Sequence, residues 1–256
     1  MSAATVMLTA VPGIPLIEPG DDLAAILIGA LRAASLFLRD GDVVVVAQKI
    51  VSKAERRYLD LADVVPSPRA IELAGRLKKD PRYVEAVLGE STEIVRQREG
   101  LVIAEHRLGF VMANAGVDQS NIEHPDGRER VLLLPENPDA SCAKLKNALD
   151  EAFDADVAVV MNDSFGRPLR NGVVGVAIGA AGIPCLRNLI GEPDLFGRAL
   201  RVTEVAFADE IASAASMVMG QSGEGRPVVH IRGLTWSGPP SPAIDLARPK
   251  QRDMFR

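Results

Sequence analysis

The chain has 256 residues, which at about 150 residues per domain makes one large domain or two intimate subdomains. Apolar residues make up 47% and charged residues 25%, a globular balance that excludes disorder, collagen and coiled coil. With 29 Lys and Arg against 34 Asp and Glu, the net charge is -5, which argues against a general nucleic-acid binder.

Pro12-Gly13-Ile14-Pro15 and Pro19-Gly20 are turns. Asp21 or Asp22 then caps a helix whose apolar positions Leu23, Ile26, Leu27, Ala30 and Leu31 follow the 3.6 period, up to the turn at Asp40-Gly41-Asp42. Val43 to Val46 is a β-branched run, the pattern of a strand buried on both faces, and it delivers Gln48 to Lys53 to its carboxyl end. Between Pro66 and Val95 the pattern predicts two helices, opened by Ser67-Pro68 and Asp80-Pro81. Leu101 to Ala104 and Gly109 to Met112 read as a hairpin leading into the polar loop Asn114 to Asn121. Val131 to Leu134 is a short apolar segment, and a helix runs from Asp139 to about Asp150.

Val157 to Met161 is a second buried strand that ends at the polar segment Asn162 to Pro168. Gly172 to Gly182 predicts a strand and a tight turn, and Val205 to Met219 a helix closed by Gly220 and a glycine-rich loop. Val228 to Ile231 is the last strand. Strands and helices interleave without strict alternation, which predicts an α+β (mixed α/β) fold of two interpenetrating subdomains over residues 1–235. Residues 236–256 form a proline-rich, charged tail expected to be poorly ordered.

Cys142 and Cys185 are too few for a disulfide framework, and His106, His124 and His230 are scattered, so a zinc site is not expected. The first residues lack the basic start of a signal peptide, and no stretch approaches the roughly 18 apolar residues of a membrane span. The expectation is a cytoplasmic protein with no membrane partner.

The chemistry lies elsewhere. Asp118 and Asp163 each stand beside neutral oxygen donors: Ser120 and Asn121 for the first, Asn162 and Ser164 for the second. Carboxylates with hydroxyl and amide oxygens suit Mg2+ or Mn2+ bound together with substrate phosphates, although a loop aspartate alone reads as an Asx-turn. Lys49 and Lys53, four apart, would point the same way on a helix and neutralise a polyphosphate. Arg167 and Arg170 flank Pro168 and could clamp phosphate or a carboxylate. The loop Met219-Gly220-Gln221-Ser222-Gly223-Glu224-Gly225 could form an anion nest, but it is neither a Walker loop nor a Rossmann fingerprint. From the residues alone the reading is a divalent-metal enzyme that handles phosphate.

Several collinear segments resemble the F420-0:γ-glutamyl ligase family of deazaflavin biosynthesis. They are Gly13 to Ile17, Pro19 to Leu23, Asp40 to Val43, Ile50 to Glu55, Asn114 to Asn121, Leu132 to Pro135, Asp163 to Pro168, Ala208 to Ile211 and Met219-Gly220. The resemblance implies a ligase that uses GTP to add L-glutamate to a phospholactyl-deazaflavin through an acyl phosphate, in many members followed by a second, γ-linked glutamate. It also implies the family fold, an intertwined homodimer and two Mg2+ or Mn2+ ions per site. Carried over by position, Asp118, Asp163 and Lys53 would be catalytic, and Asp118, Asp163, Ser164 and Gln221 would hold metal. Gln221 is an amide where the family can place a carboxylate. Ile14, Pro15, Leu16, Ile17, Gln48, Lys49, Lys53 and Asn121 would line the GTP site. The loop Met219, Gly220, Gln221, Ser222, Gly223, Glu224, Gly225, Arg226 would close over it. Glutamylation of another cofactor, or a non-catalytic nucleotide-binding protein on the same scaffold, are the alternatives.

Overall fold

The computed structural model describes residues 4–124 and 127–254. Its main sheet has the order β1 (Met7–Ala10), β12 (Val228–Arg232), β2 (Val43–Ala47), β8 (Ala158–Arg167), β9 (Arg170–Ala181). Only β2 and β8 run parallel; the other neighbours are antiparallel. Val43 to Val46 and Ala158 to Met161 are wholly buried, as an uninterrupted apolar run requires of central strands. Helices α1 (Leu23–Ala33) and α5 (Pro138–Phe153) pack together, and α6 (Phe207–Met219) lies against β8, β9, β12 and β1.

A second core forms separately. It comprises α3 (Pro68–Leu77), α4 (Pro81–Gly89), the sheet β4 (Ser91–Arg98), β5 (Leu101–His106), β6 (Val111–Ala113), and the pair β3 (Tyr58–Asp60) with β7 (Arg130–Leu132). Leu61, Leu73, Leu77, Val84, Val87, Val102 and Val131 fill it, while Phe110 and Met112 reach into the first core. Between the cores, Arg57 donates to the Leu134 carbonyl at 2.8 Å and pairs with Glu90, which also accepts from His106 and Arg107. The architecture is α+β. No helix among the described residues is long and apolar enough to cross a membrane.

Four expectations change. Helix α1, capped by the Asp22 carboxylate on the Ala25 N–H, ends at Ala33, because Ser35 turns left-handed (φ 56°) well before Asp40. The second predicted helix stops at Gly89; Ser91–Arg98 is an edge strand whose polar residues face water. Asp163 does not follow the buried strand but lies within it: β8 continues to Arg167, held by β9 through a bulge at Met161/Asn162.

The tail is docked. Ala243 is fully buried, Cys185 N–H donates to the Ser241 hydroxyl at 3.0 Å, Trp236 packs on Phe207, and Lys250 pairs with Glu93. Trp236, Ala243 and Leu246 pack on the first core, and two short 3-10 helices, Ala243–Leu246 and Lys250–Arg252, carry the chain on to β4 and β5.

Candidate functional site

The parallel register sets Ala47 beside Asn162, so the carboxyl ends of β2 and β8 stand side by side. Such ends are where α/β sheets present ligands. Here β2 passes directly into α2 (Gln48–Ala54), which puts Gln48, Lys49 and Lys53 next to Asp163 and Ser164 on β8. Together they wall a cavity of about 500 Å³. Ile14, Pro15, Leu16 and Ile17 form another side, Asn121 a third, and the loop Met219 to Arg226 the remainder.

Every residue that the sequence assigns to nucleotide binding therefore borders one space, although these segments are scattered from residue 14 to residue 226. The helical spacing of Lys49 and Lys53 holds, and both side chains border the cavity. Asp118 is set back from it, behind Lys49: Lys49 Nζ lies 2.6 Å from Asp118 Oδ2 and donates to the Ser120 hydroxyl at 2.7 Å. Ser120 N–H and Oγ both donate to Asp118 Oδ1 at 2.9 Å. The Asx-turn and the charged pair are thus both present in one loop. Burial pushes the Asp118 carboxyl up, but the Lys49 ammonium and the Ser120 donors outweigh it and hold the group below its ordinary range.

Asp163 is the opposite case. Burial lifts its carboxyl from 3.8 to about 6; the Ser164 N–H, donating at 2.8 Å, works against this, and the charge of nearby Asp118 adds to it. Two carboxylates close enough to feel each other, one of them with a single donor, make a place where a cation is favourable. Lys53 is pulled below its ordinary range, chiefly by burial, with Glu123 opposing and Lys49 adding to the depression.

Ser164 donates from Oγ to Gln221 Oε1 at 2.7 Å, and Gln221 Nε2 donates to Ser216 Oγ on α6 at 2.6 Å. Asn121 Nδ2 donates to the Ser222 carbonyl at 3.3 Å, tying the second lobe to the glycine-rich loop. Within that loop Gly220 is left-handed (φ 79°), and its missing Cβ is the space that the Glu224 carboxylate fills, 2.2 Å from where that carbon would stand. Glu224 in turn accepts from the Ser222 N–H at 2.8 Å.

Of the polar residues lining the cavity, Glu123, which lies past the loop where the polar pattern ends, has no role in the sequence reading, and Asn162 enters that reading only as a neutral oxygen donor beside Asp163. Asn162 is buried, and its Oδ1 has no hydrogen-bond partner. Arg167 and Arg170 stand farther out on the β8–β9 hairpin and do not border the cavity.

No group of three or more His, Cys, Asp or Glu gathers among the described residues. The donor set around Asp163 is instead two carboxylates, a serine hydroxyl and amide oxygens. That set fits a hard divalent cation that keeps water or phosphate as its remaining ligands, and it does not fit zinc in a thiolate or imidazole cage.

Residues 13–233 match the F420-0:Gamma-glutamyl ligase family. The coenzyme F420:L-glutamate ligase of Methanothermobacter thermautotrophicus is 47% identical over 253 residues, 98% of this chain and 99% of the relative. Those of Methanopyrus kandleri and Methanocaldococcus jannaschii are 47% and 45% identical over 245 and 219 residues, covering 94% and 86% of this chain and 93% and 86% of the relatives. With residues 13–233 matched by the family and its lysine and glycine-rich segments brought with Asp163 around one cavity, the chain belongs to the F420-0:Gamma-glutamyl ligase family.

Proposed function

We propose that this protein is a GTP-dependent ligase that joins L-glutamate to coenzyme F420-0, a phospholactyl-deazaflavin, by way of an acyl phosphate. The observation that carries this reading is that Lys49 shares the wall of one cavity with Asp163 while it pairs with Asp118 just behind that wall, although Lys49 and Asp118 stand 69 positions apart in sequence. The names of the relatives support the acceptor and the amino acid.

The reaction brings two anions together. The acceptor carboxylate attacks the γ-phosphorus and GDP departs; the glutamate amine then attacks the acyl carbon, and phosphate leaves as the amide forms. Lys49 and Lys53 offset the negative charge of the triphosphate, and Arg226 adds a third cation from the glycine-rich loop. Backbone N–H groups of that loop suit phosphate oxygens. Asp118 and Asp163 would hold one Mg2+ or Mn2+ ion, and Ser164 with the Gln221 oxygen a second. Bound there, such ions neutralise phosphate charge and make the γ-phosphorus a better target. The remaining contribution is positioning, so no Ser-His or Cys-His nucleophile is needed.

The reading places the enzyme in the cytoplasm with small-molecule substrates and a second copy of itself as partner. Leu195 and Phe196, 98% and 94% exposed on the excursion between β10 (Arg187–Asn188) and β11 (Glu204–Val205), support a self-association surface.

Purified protein incubated with GTP, Mn2+, L-glutamate and F420-0 tests the proposal. Mass spectrometry is expected to show the acceptor gaining glutamyl units, their number read from the mass, with GDP released in step. An unchanged deazaflavin mass would overturn the acceptor assignment, and equal turnover with ATP would overturn the nucleotide assignment.

A further inference from the structure

Strand β8 does not end at the cavity. Past Asp163 its burial alternates residue by residue, leaving Asp163, Phe165 and Arg167 on the shielded face and Ser164 and Gly166 on the open one. Phe165 meets Phe110 edge-on with ring centroids 6.4 Å apart, so the shielded face is turned toward the segment that enters β6. Arg167 closes this row. Its Nη2 donates to the Asn171 carbonyl at 3.2 Å, which sets the plane of the guanidinium, while its Nε is buried without a hydrogen-bond partner. No carboxylate pairs with Arg167 among the described residues.

A cation held in a fixed plane with a donor withheld from water is incomplete until an oxyanion reaches it, and guanidinium forks match two-oxygen anions better than any other side chain. The spacing also suits a substrate. At about 3.3 Å per residue, Asp163 and Arg167 are roughly 13 Å apart along the strand. An arginine side chain is long enough to cover part of that length, and a small anion linked to the reacting group would cover the rest.

We propose that Arg167 is the anion clamp for the second substrate of the ligation: its guanidinium holds the phosphodiester of the acceptor while the acceptor carboxylate lies at Asp163. The assignment rests on the ligase reaction proposed above. F420-0 carries that phosphodiester only a few bonds from its carboxylate, so one clamp fixes the distance of the nucleophile from the γ-phosphorus. The α-carboxylate of L-glutamate presents the same pair of oxygens and is the other source of a matching anion.

Equilibrium dialysis of F420-0 and of L-glutamate, each without nucleotide, against the wild-type protein and Arg167→Gln tests the clamp apart from turnover. Steady-state KM values for GTP, F420-0 and glutamate accompany it, with melting temperatures to establish that the variant is folded. The expected result is F420-0 binding weakened at least about tenfold, its KM raised alike and the KM for GTP unchanged. Arg167→Lys, which keeps the charge and loses the fork, should recover only part of the affinity. The same loss confined to glutamate would support the clamp and move it to the amino acid. Unchanged binding and KM for both, or a rise in the KM for GTP alone, would overturn it. If the wild type binds F420-0 and the variant does not, the clamp stands even when GTP proves not to be the nucleotide. If the wild type turns over normally and the variant matches it, the clamp falls and the ligase reading stands. Should Arg167→Gln fail to fold, the same comparison is made on Arg167→Lys, where wild-type affinity for both substrates would overturn the clamp.

Discussion

Lys49, on the first turn of α2, reaches out of the sheet core to meet Asp118 at 2.6 Å, in a loop of the second core. The pair is about three-quarters shielded from water on both sides, so it is stronger than a surface ion pair. It does two things: it keeps Asp118 ionised despite burial, and it places a positive charge beside Asp163.

Replacing Lys49 with Met removes both effects. Glutamylation should fall by about 10²-fold or more in kcat/KM, the loss typical of a preorganised charge at a reacting phosphate. The Asp118 carboxyl should titrate at a higher pH than in the wild type. Measuring kcat/KM for GTP together with the pH profile checks this; turnover within threefold of the wild type would remove Lys49 from the site.

Asp163 predicts a conflict between activity and stability. Raising its carboxyl from 3.8 to about 6 means that the folded protein binds this proton more tightly than the unfolded chain does. The ionised form therefore destabilises the metal-free fold, by about 3 kcal/mol once the pH is above 6, and the effect fades as pH falls toward 3.8. Asp163→Asn should abolish GTP turnover yet melt higher than the wild type at pH 7.5 in EDTA, with the gap closing near pH 4. Wild-type affinity for Mn2+ should also drop as pH is lowered through 6. A variant that melts lower than the wild type at pH 7.5 would contradict the assignment.

Most of this site was legible because its segments carry local chemistry: the lysine spacing after a valine run, the Asp-x-Ser loop, the glycines after a helix. What was not legible was long-range. Asn162-Asp163-Ser164 reads as a strand stop, since polar residues after Val159–Met161 normally meet water. They stay in β8 because β9 pairs with it as far as Arg170 and because they border the cavity or its open face. Ser91 to Val95 likewise falls within the stretch whose pattern reads as helix; only pairing with β5 makes Ser91–Arg98 an edge strand. The tail looked loose because Trp236 and Ala243 find their partners, Phe207 and the first core, tens of residues away.

Gly175 on β9 predicts a second route to the site, through packing. A Cβ there would lie 2.4 Å from the Ala212 carbonyl oxygen of α6 and 2.6 Å from Asn162 Oδ1. Since the first is backbone, α6 must move. Gly175→Ala should destabilise the protein by about 1–3 kcal/mol in urea titration and reduce turnover by shifting Asn162 and its neighbour Asp163. Wild-type stability would show that α6 yields more easily than its contacts suggest.

At the far end of β2 from the cavity, Asp42 is 2% exposed and accepts from four donors on three residues: Arg39 N–H and Arg232 Nε at 2.9 Å, Arg232 Nη2 at 2.5 Å, and His230 Nε2, 2.9 Å away. Burial raises the Asp42 carboxyl, but Arg232 and then His230 reverse this and hold it below 3.8. A carboxylate with a depressed value contributes its stability above the unfolded value and loses it as pH falls below 3.8. Asp42→Ala leaves Arg232 and the buried His230 unpaired, so about 3 kcal/mol of stability should go at pH 7. Because β2 links this cluster to α2 by rigid, fully buried strand, the folded fraction of the variant should keep wild-type KM values for GTP and glutamate. Urea titration at pH 7 and pH 3.5 reads the stability, with the difference between variant and wild type expected to shrink at the lower pH; a difference independent of pH would show that Asp42 acts through packing rather than charge.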